Sequence, residues 1–519
     1  MSSAAITLVI LALVVVIFVV DRLPVMAVAL SVPVALWATG VLDLGEAFES
    51  FGDPTIIFIA SLFVVSEALD ATGVTAWVGE LALRAAGESR TRLLVVIMAM
   101  VALTTAVITP NGSVAALTPV VVMMAIRAKR SPSELLLPLA FGAHAGSLLM
   151  LTGSPVNLVI ADYVEEATGT QLGLFTISVL GVALVLGTIA LVVLFGPALI
   201  PHRTPRRSLR DLGAHSHVLS KQYRIGNPEG LLTRADGLLE AQIPPRSQFV
   251  GEQVHPGMRT DSGKLVVVAV EHRGQTKYGV HALHVGDTVL FRGAWDDLNW
   301  AAQDPNILVV DDPEKVRRQA VPLGPGARIT LSILGIMVIL LAGNIVPAAI
   351  AGLLAALAVI VTRVLSVQQV YEGIGWTTVI LVGGLMPLST AMEKSGAAAL
   401  LADGLVEIVG DAGPYALLAG LFVVTVVLGQ LISNMATAFI VVPVGLAAAA
   451  QMGVSPMPVL MAILVFAAAA LLTPIATPAN LVVMEAAGYR FGDYWKMGGV
   501  LLALYALVGI GLVPLIWPF

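Results

Sequence analysis

Two strings 323 residues apart, SPVNLVI at 154–160 and TPANLVV at 477–483, interrupt long apolar stretches in the same way. The offset that carries Asn157 onto Asn480 also pairs Glu49 with Glu372, Gly52 with Gly375, Thr55 with Thr378, Ser66 with Ser389, Gly73 with Gly396 and Asn111 with Asn434. A shared taste of membrane helices for Leu, Val and Ala does not put two Asn and several Gly in step. One ungapped register over so long a reach points to a duplicated unit, and any fold for this chain has to treat the two copies equivalently.

The solvent follows from composition. Hydrophobic residues make up 57% of the 519 and charged residues 12%, about half the share usual in soluble domains. Apolar runs of about 17 to 25 residues recur, and about 20 helical residues cross a bilayer's hydrocarbon core. A porin-like barrel would instead alternate polar and apolar residues. Residues 4–20 lack a basic leading region and a small-residue cleavage site, so they read as a retained span. With no Cys, thiolate metal sites and disulfides are excluded, and the net charge of −6 says little about partners.

From Pro201 to about Arg328 the chain turns polar, and apolar helices resume at Ile329. Three regions follow: a first membrane half at 1–200, an insert at 201–327 and a second membrane half at 328–519. Spans are expected at 4–20, 23–42, 54–72 and 172–199, with a re-entrant hairpin at 91–128 and a broken helix at 133–163. The second half repeats them at 328–345, 346–364, 376–393 and 499–517, with a hairpin at 413–450 and a broken helix at 456–486. Placing the Arg and Lys clusters inside makes the insert cytoplasmic and puts both termini outside. Five crossings per half is an odd number, so the second copy is inverted. The expected fold is an all-α polytopic membrane protein of two inverted repeats, five spans each, with re-entrant hairpins, broken helices and a small α/β cytoplasmic insert. Inverted repeats with interrupted helices characterise secondary transporters.

Four polar interruptions mark the candidate site: ITPNGSV at 108–114, LISNMAT at 431–437, LTGSPVN at 151–157 and LTPIATPAN at 472–480. Asn and Ser are good N-caps, so second half-helices are expected to start just after Asn111 and Asn434. Pro155 and Pro478 lack an N–H and disfavour helix at the preceding residue, so both long spans should unwind there. Backbone outside a helix cannot face lipid. Free carbonyls and Asn oxygens suit an alkali cation, while half-helix N-termini suit an anion. No Lys or Arg lies deep in the expected spans to hold the anion instead.

SNMATAFIVVP resembles the Ser-Asn-Thr hairpin signature of the divalent anion–sodium symporter family, and GSPVN and ATPAN resemble that family's paired unwound loops. The resemblance spans both membrane halves. It implies transport of a dicarboxylate, citrate or sulfate, sodium as the coupling ion, a homodimer, and an elevator-like motion of a transport domain against a scaffold. By position, sodium would be held at Asn111 and Gly153 in one half and at Asn434 and Ala476 in the other. Substrate would meet Asn111, Gly112, Ser113, Ser154, Pro155, Asn434, Met435, Thr437, Thr477 and Pro478. The departures are Pro110-Asn111-Gly112 and Ser433-Asn434-Met435, where the family's Thr hydroxyls are missing although Ser113 and Thr437 lie nearby. Within the insert, LLEAQIPPRSQFVGEQV, KLVVVAVEHRG and HVGDTVLFRGAWDDL resemble a single TrkA-C module at about 218–303. That likeness implies a regulatory ligand or a role in dimerisation.

Glu67 and His144 are ionisable residues expected at membrane depth, where such groups are often functional. Thr390 stands opposite Glu67 in the repeat, which argues against a symmetric role. The six His between His215 and His284 lack a tight ligand spacing, so no metal is read there, and the basic clusters Arg127–Arg130 and Arg203–Arg210 read as headgroup anchors and not as nucleic-acid sites. No nucleophile–base pair is recognisable, and no cofactor or enzymatic activity is expected. The rival readings are a cation–proton antiporter or arsenite-type carrier of similar architecture and, from another class, a ligand-regulated channel or membrane sensor.

Overall fold

The computed structural model describes residues 2–20, 22–86, 89–128, 130–203, 233, 236–313, 316–317, 323–343, 345–409, 412–474 and 476–519. Lys129, the Arg206–Arg210 part of the basic cluster, His215, His217 and the first residues of the 218–303 module lie outside them. The chain divides into two compact units: Met1–Ala68, Ala82–Ser208 and Thr330–Phe519 in one, Leu69–Leu81 and Leu209–Ile329 in the other. The short segment Leu69–Leu81 thus joins the insert, although the sequence assigns it to the first membrane half. A local reason is visible: the N–H groups of Leu323 and Gly324 donate to the carbonyls of Gly73 and Thr72 at 3.2 and 2.8 Å.

The first unit is helical. Before the insert run α1 (Ser3–Val20), α2 (Val25–Ala38), α3 (Leu44–Phe48), α4 (Pro54–Ala71), α5 (Val74–Ala86), α6 (Arg90–Val107), α7 (Pro110–Arg127), α8 (Ser133–Gly146), α9 (Pro155–Thr168) and α10 (Ser178–Leu199). After it come α12 (Ala327–Ala342), α13 (Ala348–Val361), α14 (Val367–Gly373), α15 (Trp376–Lys394), α16 (Ala397–Val409), α17 (Pro414–Leu431), α18 (Asn434–Met452), α19 (Pro456–Ala467), α20 (Pro478–Ala487) and α21 (Trp495–Ile516). The bounds of α2 and α13 differ by 323 residues at both ends, as do those of α5 and α16, and so do the starts of α8 and α19 and of α9 and α20.

The register slips at the last helix, yet the packing compensates. Gly181 of α10 and Gly498 of α21 stand six residues out of step, but a Cβ on either would come within 2.3 Å of a carbonyl oxygen, that of Leu148 and Leu471 respectively. Those two leucines are themselves 323 apart. Only glycine lets α10 and α21 lie so close to the chain following α8 and α19.

Six of the described helical segments are individually long and apolar enough to cross a membrane, and α14 with α15, bent by 55°, makes a seventh if counted as one span. The expected spans 23–42 and 346–364 are shorter than anticipated: α2 and α13 have 14 residues each, about 21 Å of helix. Left-handed Gly40 (φ 72°) and Arg363 (φ 56°) follow their ends, where the chain turns out of the helix. The core centres on α8, buried from Ser133 to Gly146, and α19, buried from Pro458 to Ala467. Helices apolar on every side belong in such positions. Close approach is bought by glycine at Gly146, whose Cβ would lie 2.3 Å from Ala102 Cα of α6.

The second unit contains a five-stranded sheet in the order β4-β3-β6-β1-β7, from β1 (Asp236–Gln242), β3 (Val266–His272), β4 (Gln275–Lys277), β6 (Thr288–Ala294) and β7 (Leu308–Val309). Its pairings are antiparallel, and a register shift interrupts β3 between Val267 and Ala269. A separate ribbon joins β2 (Gln253–Val254) to β5 (His281–Ala282). Helix α11 (Trp295–Ala301) follows β6, and Trp295 lies over Gly237, where a Cβ would meet the indole ring at 2.5 Å. Leu239, Ile243, Val270, Val289 and Leu298 form the core around it.

Candidate functional site

Both long helices unwind where the sequence places Pro155 and Pro478. Each proline is the first residue of its second half-helix, α9 or α20, where a missing N–H leaves no bond broken. Ser154 and Thr477 cap them: Ser154 Oγ accepts from the N–H of Val156 at 3.3 Å and Thr477 Oγ1 from that of Asn480 at 3.4 Å. Gly153 sits where a Cβ would come within 2.4 Å of the Ser147 carbonyl oxygen, so the first loop folds tightly on itself. Its counterpart Ala476 is buried.

The two repeated asparagines brace these loops. Asn157 Nδ2 donates to the carbonyls of Ser147 and Met150 at 2.7 and 3.2 Å. Asn480 Nδ2 donates to those of Ala470 and Thr473 at 2.8 and 2.9 Å. The acceptors lie ten and seven residues back in both cases. One buried amide therefore satisfies two carbonyls that a broken helix leaves orphaned. The Asn480 side chain also receives a bond at its oxygen, 3.1 Å from His144 Nε2. Because its amide nitrogen is already donating, that oxygen is the acceptor and His144 carries the proton on Nε2. His144 is buried, and Thr477 Oγ1 stands 3.4 Å from the same nitrogen. It ties α8 to the second loop.

The hairpin tips lie at Ile108–Thr109 and Ile432–Ser433. The caps fall two residues earlier than expected in the first tip and one earlier in the second. Thr109 Oγ1 accepts from the N–H of Gly112 at 3.5 Å, and Ser433 Oγ from that of Ala436 at 3.2 Å. A hydroxyl directly before each helix outcompetes the amide, which leaves Asn111 and Asn434 in the first turn with their side chains released for other work. Asn111 Oδ1 accepts from the N–H of Ala479, at the start of α20, at 3.1 Å. The matching position in the other half is Val156, whose N–H goes to Ser154 instead. Asn434 Oδ1 is buried and has no hydrogen-bond partner among the described residues. A buried carbonyl oxygen left this way costs about 1–3 kcal/mol, so Asn434 is the one proposed ligand whose acceptor is buried and free.

The elements meet crosswise. Helix α7 of the first hairpin packs against α20, and α18 of the second hairpin packs against α9. Near the first tip, a Cβ on Gly112 would lie 3.9 Å from Ser66 Oγ. The Thr437 hydroxyl donates back to the Ser433 carbonyl at 3.1 Å and that of Ser113 to Ile108 at 3.4 Å. Both offer lone pairs rather than protons, whereas Ser154 Oγ accepts a bond and keeps its proton to give. Asn111 and Pro478 are exposed, Gly112, Ser154, Pro155 and Asn434 half-buried, and Gly153, Met435 and Thr477 buried. Glu67 is half-buried, and its stem packs on Gly373, where a Cβ would lie 2.6 Å from Glu67 Cγ.

Two bracing residues escaped the sequence reading. Gln430, buried at the end of α17, donates to the Ala469 carbonyl at 3.0 Å and accepts from the N–H of Leu472 at 2.8 Å. Thr152 Oγ1 donates to the Ala106 carbonyl at 2.9 Å. Each fastens a hairpin to the unwound loop of its own half. A lone Gln in the apolar run LGQLI was the available signal.

Comparison with known proteins places this geometry. Residues 15–453 match the family model CitMHS, described as citrate transporter. The chain is 30% identical to the uncharacterized transporter YfbS of Escherichia coli (strain K12), with 98% of both chains covered. It is 22% identical to the uncharacterized transporter sll0640 of Synechocystis sp., covering 98% of this chain and 97% of that one. Sodium/sulfate cotransporter 1 of Chlamydomonas reinhardtii is 26% identical over 50% of this chain and 30% of its own length.

Proposed function

The chain belongs to the CitMHS citrate transporter family, and from that membership we propose that it is a sodium-coupled carrier of a small di- or trivalent anion. It is a multi-pass membrane protein whose relatives are transporters. In the proposed architecture two inverted repeats, each with a hairpin and a broken helix, face each other across the unwound loops. The shared 323-residue register of helix bounds supports this. The insert is assigned to the cytoplasm and, by its likeness to a TrkA-C module, to regulation; a homodimer moving its substrate by an elevator motion completes the reading.

The observation that carries the proposal is the buried, partnerless Asn434 Oδ1 beside an unwound loop. A hard oxygen held out of water without a donor is matched by an alkali cation. In the proposed cycle sodium binds Asn434 with backbone oxygens near Ala476, and Asn111 with those near Gly153. Its charge then favours an anion at Ser154, Pro155, Thr477 and Pro478, where α9 and α20 begin, and at the tips Gly112, Ser113, Met435 and Thr437. Half-helix N-termini favour negative charge, and cation binding offsets that charge before the site moves through the membrane.

Purified protein in vesicles tests this. Uptake of sulfate, succinate or citrate should rise with an inward sodium gradient and fall sharply in Asn434→Ala. Anion uptake indifferent to sodium and driven by a proton gradient would transfer the chain to the proton-coupled rival. Conductance far above carrier rates would favour a channel.

A further inference from the structure

We propose that the insert carries a transition-metal site, of the zinc class, built from His272, His281, His284 and Asp287. Spacing along the chain hid it: eight residues separate His272 from His281. The fold closes that gap. His272 ends β3, His281 opens β5, and Asp287 immediately precedes β6, which pairs beside β3. One ligand atom from each of the four residues lies within 4.8 Å of the others. The three imidazole rings stand 5.1, 5.1 and 5.4 Å apart between centroids.

The carboxylate is the hub. Asp287 is 1% exposed, with Oδ1 2.6 Å from His272 Nδ1 and Oδ2 2.9 Å from His281 Nε2. The N–H of His284 donates to Oδ2 at 2.9 Å, and His284 Nδ1 stands 3.8 Å from it. The turn holding the hub is pinned to β1: Ile243 N–H donates to the Asp287 carbonyl and Gly286 N–H to that of Ile243, both at 2.9 Å. A turn-capping aspartate needs only the backbone bond, and a single protonated His would balance its charge. Three imidazoles packed round one carboxylate exceed both needs, and protonating all three would set like charges against one another. One dication replaces those protons with a single centre bound to nitrogen and oxygen.

The donor set selects the metal. Imidazoles with a carboxylate suit zinc and its neighbours nickel and cobalt, whereas calcium and magnesium take all-oxygen sites. The Asp287 bond from the His284 backbone orients the carboxylate, as outer hydrogen bonds do in metal sites. The His284 side chain, 60% exposed, forms the solvent-side wall through which an ion enters. A bound ion would fasten the ends of β3, β5 and β6 to one another and, through Ile243, to β1.

The full-length chain in detergent, freed of metal by chelation and dialysed against zinc alone, should retain about one ion per chain. Its affinity should fall at least about 100-fold in the His281→Ala/His284→Ala double variant. His284→Ala alone keeps the test clean, because that exposed side chain carries none of the core; cobalt bound to the native chain should give visible bands of a tetrahedral site, weakened in this variant. Retention below about one ion in ten chains, equal zinc affinity in the double variant, or calcium displacing zinc at equal concentration would overturn the assignment. None of these readouts depends on transport.

Discussion

Replacing Asn480 with Ala removes one amide and leaves three buried groups unpaired: the carbonyls of Ala470 and Thr473 and the His144 Nε2–H. Each stranded group costs about 1–3 kcal/mol, so the loss is about 3–9 kcal/mol. Asn157→Ala strands two carbonyls, those of Ser147 and Met150, for about 2–6 kcal/mol. Asn434→Ala has the opposite sign. It removes an acceptor that is buried without a partner, so sodium-free stability should hold or rise by up to about 3 kcal/mol. What it should lose is the stabilisation that a bound ion gives, which grows as RT ln(1 + [L]/Kd). The assay is thermal unfolding in detergent at one scan rate, with sodium titrated against choline. The expected pattern is a low melting temperature with a surviving sodium response for Asn157→Ala, lower still for Asn480→Ala, and a native-like melting temperature with no sodium response for Asn434→Ala. If Asn434→Ala is as unstable as Asn480→Ala without sodium, its oxygen is bonded after all and the division into braces and ligand fails.

Gly153→Ala should abolish transport and lower stability, because its Cβ meets the Ser147 carbonyl at 2.4 Å, while Ala476→Gly should be tolerated; uptake and melting temperature check both. Gly384→Ala should destabilise by about 1–3 kcal/mol, since the new methyl would lie 2.4 Å from the Ala29 carbonyl oxygen between α2 and α15. Arg203 grips Asp493 with two bonds of 2.9 and 2.7 Å, and that guanidinium holds the carboxyl below the usual carboxylate range. A depressed folded value means stability present above the ordinary carboxylate pKa of about 3.9 and lost as pH falls through the lower folded one. Melting temperature measured from pH 6 to 3 at about that range should therefore fall less steeply in Asp493→Asn, with the difference shrinking at high salt.

The breaks were legible in the sequence because proline acts on its own backbone: Pro155 and Pro478 open their half-helices whatever surrounds them. The repeat of helix bounds was legible because equal strings face equal solvent. What each asparagine does was not. Asn157, Asn480, Asn111 and Asn434 are chemically identical, and only the positions of carbonyls ten residues back, or of an N–H in the other half, separate a brace from a free acceptor. The caps were misplaced for a similar reason, since Thr109 and Asn111 are both plausible caps until the first turn is built. The His272–Asp287 cluster depends on strand pairing that returns distant residues to one edge, which linear spacing cannot report.

The bracing amides have an evolutionary corollary. Because a side chain downstream of each gap fixes the course of the unwound segment, the residues within it are relieved of shaping it. The halves already differ there, Ser154 against Thr477 and Met150 against Thr473, while Asn157 and Asn480 keep one geometry. Selectivity can therefore drift in those few positions with the scaffold intact, so that one architecture diversifies toward new cargo by single, locally contained changes.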